Sequence, residues 1–233
     1  MFIRIARTAG FTGLLAALLL TLLQSLWVTP LILHAETFEN SAPAAEQAHS
    51  HEPGVAEHQH DSEAWSPEDG WQRVLSTSGA NLVVAVGFAL MLAGLYSLRA
   101  PGRVRDGLLW GLAGFATFSL APSLGLPPEL PGTAAADLAL RQYWWIGTAS
   151  ATAVGLALFA FARPWALRIA GLLLLAVPHL IGAPQPEVHE SLAPAALGQQ
   201  FILASLVTNG LFWLALGLAS AWFYRRPGSL QAA

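Results

Sequence analysis

Apolar residues along this chain come in long runs separated by short polar punctuation, without the two-residue alternation of strands. Six runs stand out, approximately Phe11–Leu33, Asn81–Leu98, Leu108–Leu126, Tyr143–Ala162, Ala166–Ile181 and Phe201–Tyr224. A hydrocarbon core takes roughly 20 apolar residues of helix, so the pattern predicts an all-α integral membrane protein with about six transmembrane helices. The fifth run is short and carries Arg168 near its start. Arg4 and Arg7 precede the first run as in a signal peptide. That run is too long for one, and no small-residue cleavage site follows near His34 and Ala35, so a retained helix is expected. The chain reads as a single transmembrane domain, 1–233, with one long hydrophilic loop, 34–79, partly disordered.

Composition sharpens this. Of 233 residues 55% are hydrophobic and 11% charged, with a mean hydropathy of +0.52; a soluble domain carries about a quarter charged residues. There is no cysteine, which removes disulfides, thiolate metal sites and a cysteine nucleophile. There is also no lysine, which removes Schiff-base chemistry and a nucleotide-binding P-loop. No Ser-His-Asp arrangement or HExxH motif appears, so no enzyme is expected. A net charge of −3 gives no reason to expect nucleic acid.

The few charges are segregated. With six spans, nine of the eleven arginines (Arg4, Arg7, Arg99, Arg103, Arg105, Arg163, Arg168, Arg225 and Arg226) fall on one side. Only Arg73 and Arg141 fall on the other. Arginine-rich loops stay in the cytoplasm, which predicts cytoplasmic termini. Thirteen of the fourteen acids face the opposite way, giving −11 outside and +8 inside. Five spans would scramble this sorting.

All seven histidines lie on the acidic side. Loop 34–79 carries His49-Ser-His51 and His58-Gln-His60-Asp61 among nine acids, and a His-x-His in a pliant segment lets two imidazoles close on one ion. Without thiolates, such donors suit Co, Ni, Zn or Cu over Mg or Ca and do not choose among the four. The alternative is a solvated acidic linker that happens to contain histidines. His179, near the outer end of the fifth run, and His189, just beyond it, add an outer receiving site. An ionisable residue at membrane depth costs roughly 2 to 3 kcal/mol unless partnered.

A repeat is also visible. Pro30 with Glu36, Pro122 with Glu129, and Pro178 with Glu187 each place a proline near an outer helix end and an acid shortly after. Helices 3–4 and 5–6 align at a shift of 58, matching Glu129 with Glu187 and Gln142-Tyr143 with Gln200-Phe201. Three related helical hairpins in a pseudo-threefold arrangement are expected, with Glu36, Glu129 and Glu187 forming an acidic mouth near His179. Asp137 and Arg141, four apart, read as a pair with each other. Trp144, Trp145, Trp213 and Trp222 read as interfacial anchors or packing.

Thr29-Pro-Leu-Ile-Leu-His-Ala-Glu36, Trp110-Gly-Leu-Ala-Gly-Phe115, Leu120-Ala-Pro-Ser-Leu-Gly-Leu-Pro-Pro-Glu-Leu-Pro-Gly132 and Arg141-Gln-Tyr-Trp-Trp145 resemble the CbtA family. So do Pro178-His-Leu-Ile-Gly-Ala-Pro-Gln-Pro186 and Thr208-Asn-Gly-Leu-Phe-Trp213. The resemblance implies a cobalt transporter subunit tied to cobalamin biosynthesis. It also implies uptake across a bacterial cytoplasmic membrane and a small single-span, histidine-containing partner, CbtB. It singles out Glu36, Glu129, His179 and Gln185. The family is usually described with five spans, where the arginines here argue for six. The full set of expected metal donors is His49, His51, His58, His60, His179, His189, Glu36, Glu129 and Glu187. No permanently bound cofactor is expected, only the transported cobalt. The competing expectations are a nickel or zinc transporter, and a membrane metal sensor or scaffold without its own pore.

Overall fold

A computed structural model describes residues 1–41 and 67–226. Six helices carry most of them: α1 is Phe2–Ser41 and α2 Trp71–Leu98. Helix α3 joins Asp106–Phe115, a widened π turn Ala116–Leu120 and a last turn Ala121–Ser123. Leu138–Phe161 forms α4, Trp165–Ile181 α5 and Ala195–Arg225 α6. By length and composition α1, α2, α4 and α6 are able to cross a membrane, and α5 is a shorter apolar helix. The chain is an all-α multi-pass membrane protein, and each helix covers one of the six apolar runs.

The helix limits differ from the runs at the polar borders. Helix α1 continues to Ser41 and α2 already begins at Trp71, so helix occupies both ends of the expected loop 34–79. Adding a residue to an existing helix gains a hydrogen bond without a new nucleus, and polar residues do this as readily as apolar ones. Thr37 and Ser41 donate their hydroxyls to the carbonyls of His34 and Phe38, at 2.7 and 3.0 Å. His49, His51, His58 and His60 lie outside the described residues.

The recurring prolines take two forms. Pro30 and Pro122 each follow a π turn, Gln24–Val28 in α1 and Ala116–Leu120 in α3. A proline offers no N–H and its ring crowds the carbonyl one turn back, and a π turn gives that carbonyl room. Pro178 sits inside α5 without one. Its carbonyl accepts from Trp144 Nε1–H at 3.3 Å and from the N–H of Gly182 at 3.0 Å.

Helix pairing departs from the expected hairpins. Helix α1 packs along α2, but α3 lies chiefly along α6, and α5 along α4. Glycine decides this, because backbones approach closely in a membrane only where side chains are small. A Cβ at Gly107 or Gly217 would collide with the backbone of the other, and Gly111 abuts the Trp213 carbonyl. Between α4 and α5, a Cβ on Gly155 or Gly171 would lie 2.8 or 2.6 Å from the other's carbonyl oxygen.

The 58-residue shift carries α3 onto α5 and α4 onto α6, so the α3–α6 contact is the image of α5–α4. The connecting segments mark the axis. Thr133 forms an antiparallel bridge with Ser191. Around it the Ala134 N–H donates to the Glu190 carbonyl at 2.9 Å, and the Leu192 N–H to the Gly132 carbonyl at 3.1 Å. Each bond is the image of the other. Gly125 also meets its own counterpart, since a Cβ there would lie 2.9 Å from the Ala183 Cβ. A pseudo-two-fold axis therefore relates α3–α4 to α5–α6, in place of the expected threefold arrangement, and α1–α2 stands outside it against α6.

Trp213 is the centre of the core, 1% exposed, stacked on Phe118 at 5.6 Å and against Phe88 at 4.6 Å. It is packing rather than an interfacial anchor. At the arginine-rich end, Arg4 Nε donates to the Tyr224 carbonyl at 2.7 Å and Arg225 to the Pro101 carbonyl at 2.8 Å. The first satisfies a carbonyl that the end of α6 leaves free.

Candidate functional site

The opposite end of the bundle carries the acids. Two prolines and their π turns bring α1 and α3 to it, and the next helix begins with an arginine in its first turn. Arg73 holds Glu36 through both guanidinium nitrogens, at 2.9 and 3.3 Å, and reaches Asp69 at 2.8 Å. Arg141 donates to Glu129 at 2.9 Å. The two arginines found on the acidic side thus neutralise two of the three repeat carboxylates. The third, Glu187, is exposed, and the shift of 58 places Gln199 where its arginine would stand.

Asp137 does not pair with Arg141. Its Oδ1 accepts the Leu140 N–H at 3.0 Å and caps α4, which satisfies a donor at the helix start. That frees Arg141 for Glu129. The signal was present in the sequence, since an aspartate immediately before an apolar helix is a cap before it is an ion-pair partner.

Two cavities meet at this ion pair. The first, of about 300 Å³, lies on the pseudo-two-fold axis between the 125–136 and 184–195 segments. Its polar lining includes Glu129, Arg141, Gln185, His189, Glu190 and Thr133. The second, of about 680 Å³, runs between α3, α4 and α6, and is lined by Ser119, Ser123, Gln142, Ser205 and Asn209 as well as Glu129 and Arg141. Leu126, Pro127 and Pro128 also line both.

Of the expected donors, Glu129 and His189 line one cavity together, with Gln185. Glu36 lies apart on α1, bound to Arg73. His179 is exposed, edge-on to Trp144 at 6.1 Å between ring centres, and lines neither cavity. Among the described residues no three His, Asp or Glu side chains gather into a metal-holding group. Asn81, mostly buried in α2, donates to Thr21 Oγ1 at 3.0 Å and Gln24 Oε1 at 2.7 Å, at the start of the α1 π turn.

Residues 2–225 match the family model described as probable cobalt transporter subunit (CbtA). The chain belongs to the CbtA family. Neither a curated protein nor a solved structure matches it. The CbtA family is a transporter family rather than an enzyme class. Among the motifs that suggested CbtA, Leu120–Gly132, Arg141–Trp145 and the Pro184-Gln185-Pro186 end of the 178–186 stretch contribute cavity walls, whereas Thr29–Glu36 and Trp110–Phe115 line neither cavity. Ser119 and Gln142 were not singled out from the sequence. Single polar residues in apolar helices look like packing hydroxyls and amides until a cavity is seen beside them.

Proposed function

We propose that this protein is the membrane-embedded subunit that admits Co²⁺ inward across the bacterial cytoplasmic membrane and supplies cobalamin biosynthesis. The observation that carries this reading is the cobalt-transporter family match over 2–225 together with cavities at the acidic end that hold Glu129, Gln185, His189 and Glu190. Nine arginines at the other end orient the acidic end outward and both termini to the cytoplasm.

In this scheme His49, His51, His58 and His60 capture the ion, and His189 with Glu129 receives it. Glu36, Glu187 and His179 extend the donors on the same face. Imidazole and carboxylate suit a borderline dication, and the same donors accept nickel or zinc. An inward-negative potential favours entry of a dication by roughly 4 to 5 kcal/mol per 100 mV, so no nucleotide is needed. The cargo is cobalt, no cofactor is resident, and the partner is a small single-span histidine-containing subunit of the CbtB kind. Radiolabelled cobalt accumulation in cells with and without the protein tests this. Unchanged accumulation on deletion sinks it, and competition by excess nickel or zinc sets the metal.

A second reading has its own support. With no three-donor group among the described residues, the chain is a scaffold whose partner completes the metal path. The purified chain alone in liposomes separates the two, since a scaffold gives no cobalt flux without the partner.

A further inference from the structure

Glu129, Arg141 and the stiff Leu126-Pro127-Pro128 segment line both cavities, so the ion pair stands where the two adjoin. Both side chains of the pair are about seven-tenths buried, at 28% and 30% exposure, so neither is a freely solvated surface charge. The pseudo-two-fold axis supplies an internal control for what the fold itself requires. Under the 58-residue shift four polar positions around the second cavity have apolar or small images, Ser119 mapping to Val177, Ser123 to Ile181, Ser205 to Gly147 and Asn209 to Ala151, while Gln142 and Glu129 keep the polar images Gln200 and Glu187. Arg141 maps to Gln199. The related helices on the other side of the axis thus pack without those four polar groups and without the arginine. Ser123 and Asn209 also donate to the Ser119 and Ser205 carbonyls of their own helices, at 2.6 and 2.9 Å, and the polar set as a whole lies on α3, α4 and α6 beside the cavity.

The lining chemistry indicates the state of the ion. The second cavity offers hydroxyls, amides and one carboxylate, and no imidazole. Such donors are poor replacements for the water shell of a borderline dication, which prefers nitrogen ligands. Six waters fill about 180 Å³ at their liquid volume, well within the 680 Å³ present. A hydrated ion fits there without being stripped.

We propose that the Glu129–Arg141 ion pair is the divide between an outer vestibule and an intramembrane cavity that takes the dication with its water shell. The cation opens the divide by replacing the guanidinium at Glu129. A dication outcompetes a single delocalised charge for the carboxylate, and the released Arg141 then repels a second cation from the vestibule. This rests on the transport reading above.

The chain has no cysteine, so a single introduced thiol reports access without further engineering. Asn209→Cys in the full chain, in sealed membrane vesicles of native orientation, is exposed to a small membrane-impermeant cationic thiol reagent from outside. Labelling is expected to be slow alone and at least about fivefold faster with Arg141→Gln or with Glu129→Gln. Exchanging the pair, Glu129→Arg with Arg141→Glu, restores slow labelling and shows that loss of the pair, not misfolding, opened the path. Cobalt speeds labelling in the background that keeps Glu129 and has no effect with Glu129→Gln. Equal labelling in every background, or cobalt acceleration that survives Glu129→Gln, overturns the proposal. Cobalt accumulation measured in parallel keeps the two ideas apart. Uptake with pair-independent labelling refutes the divide alone, whereas absent uptake refutes the transport reading, and the labelling series still decides the divide.

Discussion

Thr133 and Ser191 face each other across one antiparallel bridge, their hydroxyl oxygens 3.2 Å apart, although 58 positions separate them in the chain. Each is the other's repeat image, so the pair lies on the axis that relates α3–α4 to α5–α6. The axial cavity is therefore built by both copies, since it draws its walls from both connecting segments. Its charge is not shared in the same way: Arg141 serves Glu129, while Gln199 stands in the equivalent place for Glu187. The symmetry supplies the frame and its breaking supplies the polarity.

The helix pairing rests on glycines at two symmetry-related crossings. Gly217→Val and Gly155→Val each force the backbones apart and are expected to destabilise by about 1 to 3 kcal/mol. Gly87→Ala, at a site with nothing within 4 Å of an added Cβ, should be neutral or gain up to about 1 kcal/mol. Thermal unfolding in detergent measures all three, and indistinguishable midpoints would contradict the assigned crossings.

Asn81 ties α2 to the π turn of α1 through Thr21 and Gln24. Replacing it with Leu removes both bonds, and interhelical polar contacts in membranes are worth about 0.6 kcal/mol on average and up to about 1.7. The variant should melt earlier by an amount in that range. A matching loss in Thr21→Val, with little further loss when the two are combined, identifies the shared contact.

Arg73 joins the end of α1 to the start of α2. Its partners remain partly exposed, with side-chain exposures of 25% for Glu36 and 69% for Asp69, so Arg73→Gln should cost no more than about 1 kcal/mol. The loss should shrink as salt is raised toward 1 M, where the Debye length is about 3 Å. A salt-independent loss would assign Arg73 a packing role instead.

Removal of residues 46–61 takes away His49, His51, His58 and His60. The expected effect is a higher cobalt concentration for half-maximal uptake with the maximal rate kept. Metal binding needs neutral imidazoles, so the difference between full-length and shortened protein should fade as pH drops below about 6.5. A drop in maximal rate at neutral pH would place the loop in translocation rather than capture.

The orientation is checked by reporters. A periplasm-active reporter inserted at Ala135 should be active and one fused after Ala233 inactive, with a cytoplasm-active reporter giving the converse. Any other pattern refutes the assignment drawn from the arginines.

Much was determined by the chain itself. Run length and the small charged fraction give helices in a membrane, because burying a charged side chain in hydrocarbon costs kilocalories per residue while Leu or Val costs nothing. The arginine and acid distribution, the three prolines and the shift of 58 are one-dimensional facts and were readable as such. Which helices touch was not readable, because apolar faces are interchangeable in lipid and the choice falls to a few glycines whose partners lie as near as Gly171 is to Gly155 or as far as Gly217 is from Gly107. Gly107 looks like any other membrane glycine until Gly217 is opposite it. The function of Arg141 was likewise undecided in sequence, where Asp137 four residues earlier and Glu129 twelve residues earlier compete. Only the folded loop, with Asp137 turned into the α4 cap, brings the guanidinium to Glu129. The sequence by itself determined the medium, the elements and the separation of the arginine-rich end from the acidic one. The tertiary structure decided the pairing, the axis and the Glu129–Arg141 contact between two cavities, because those depend on which residues the fold brings into close approach.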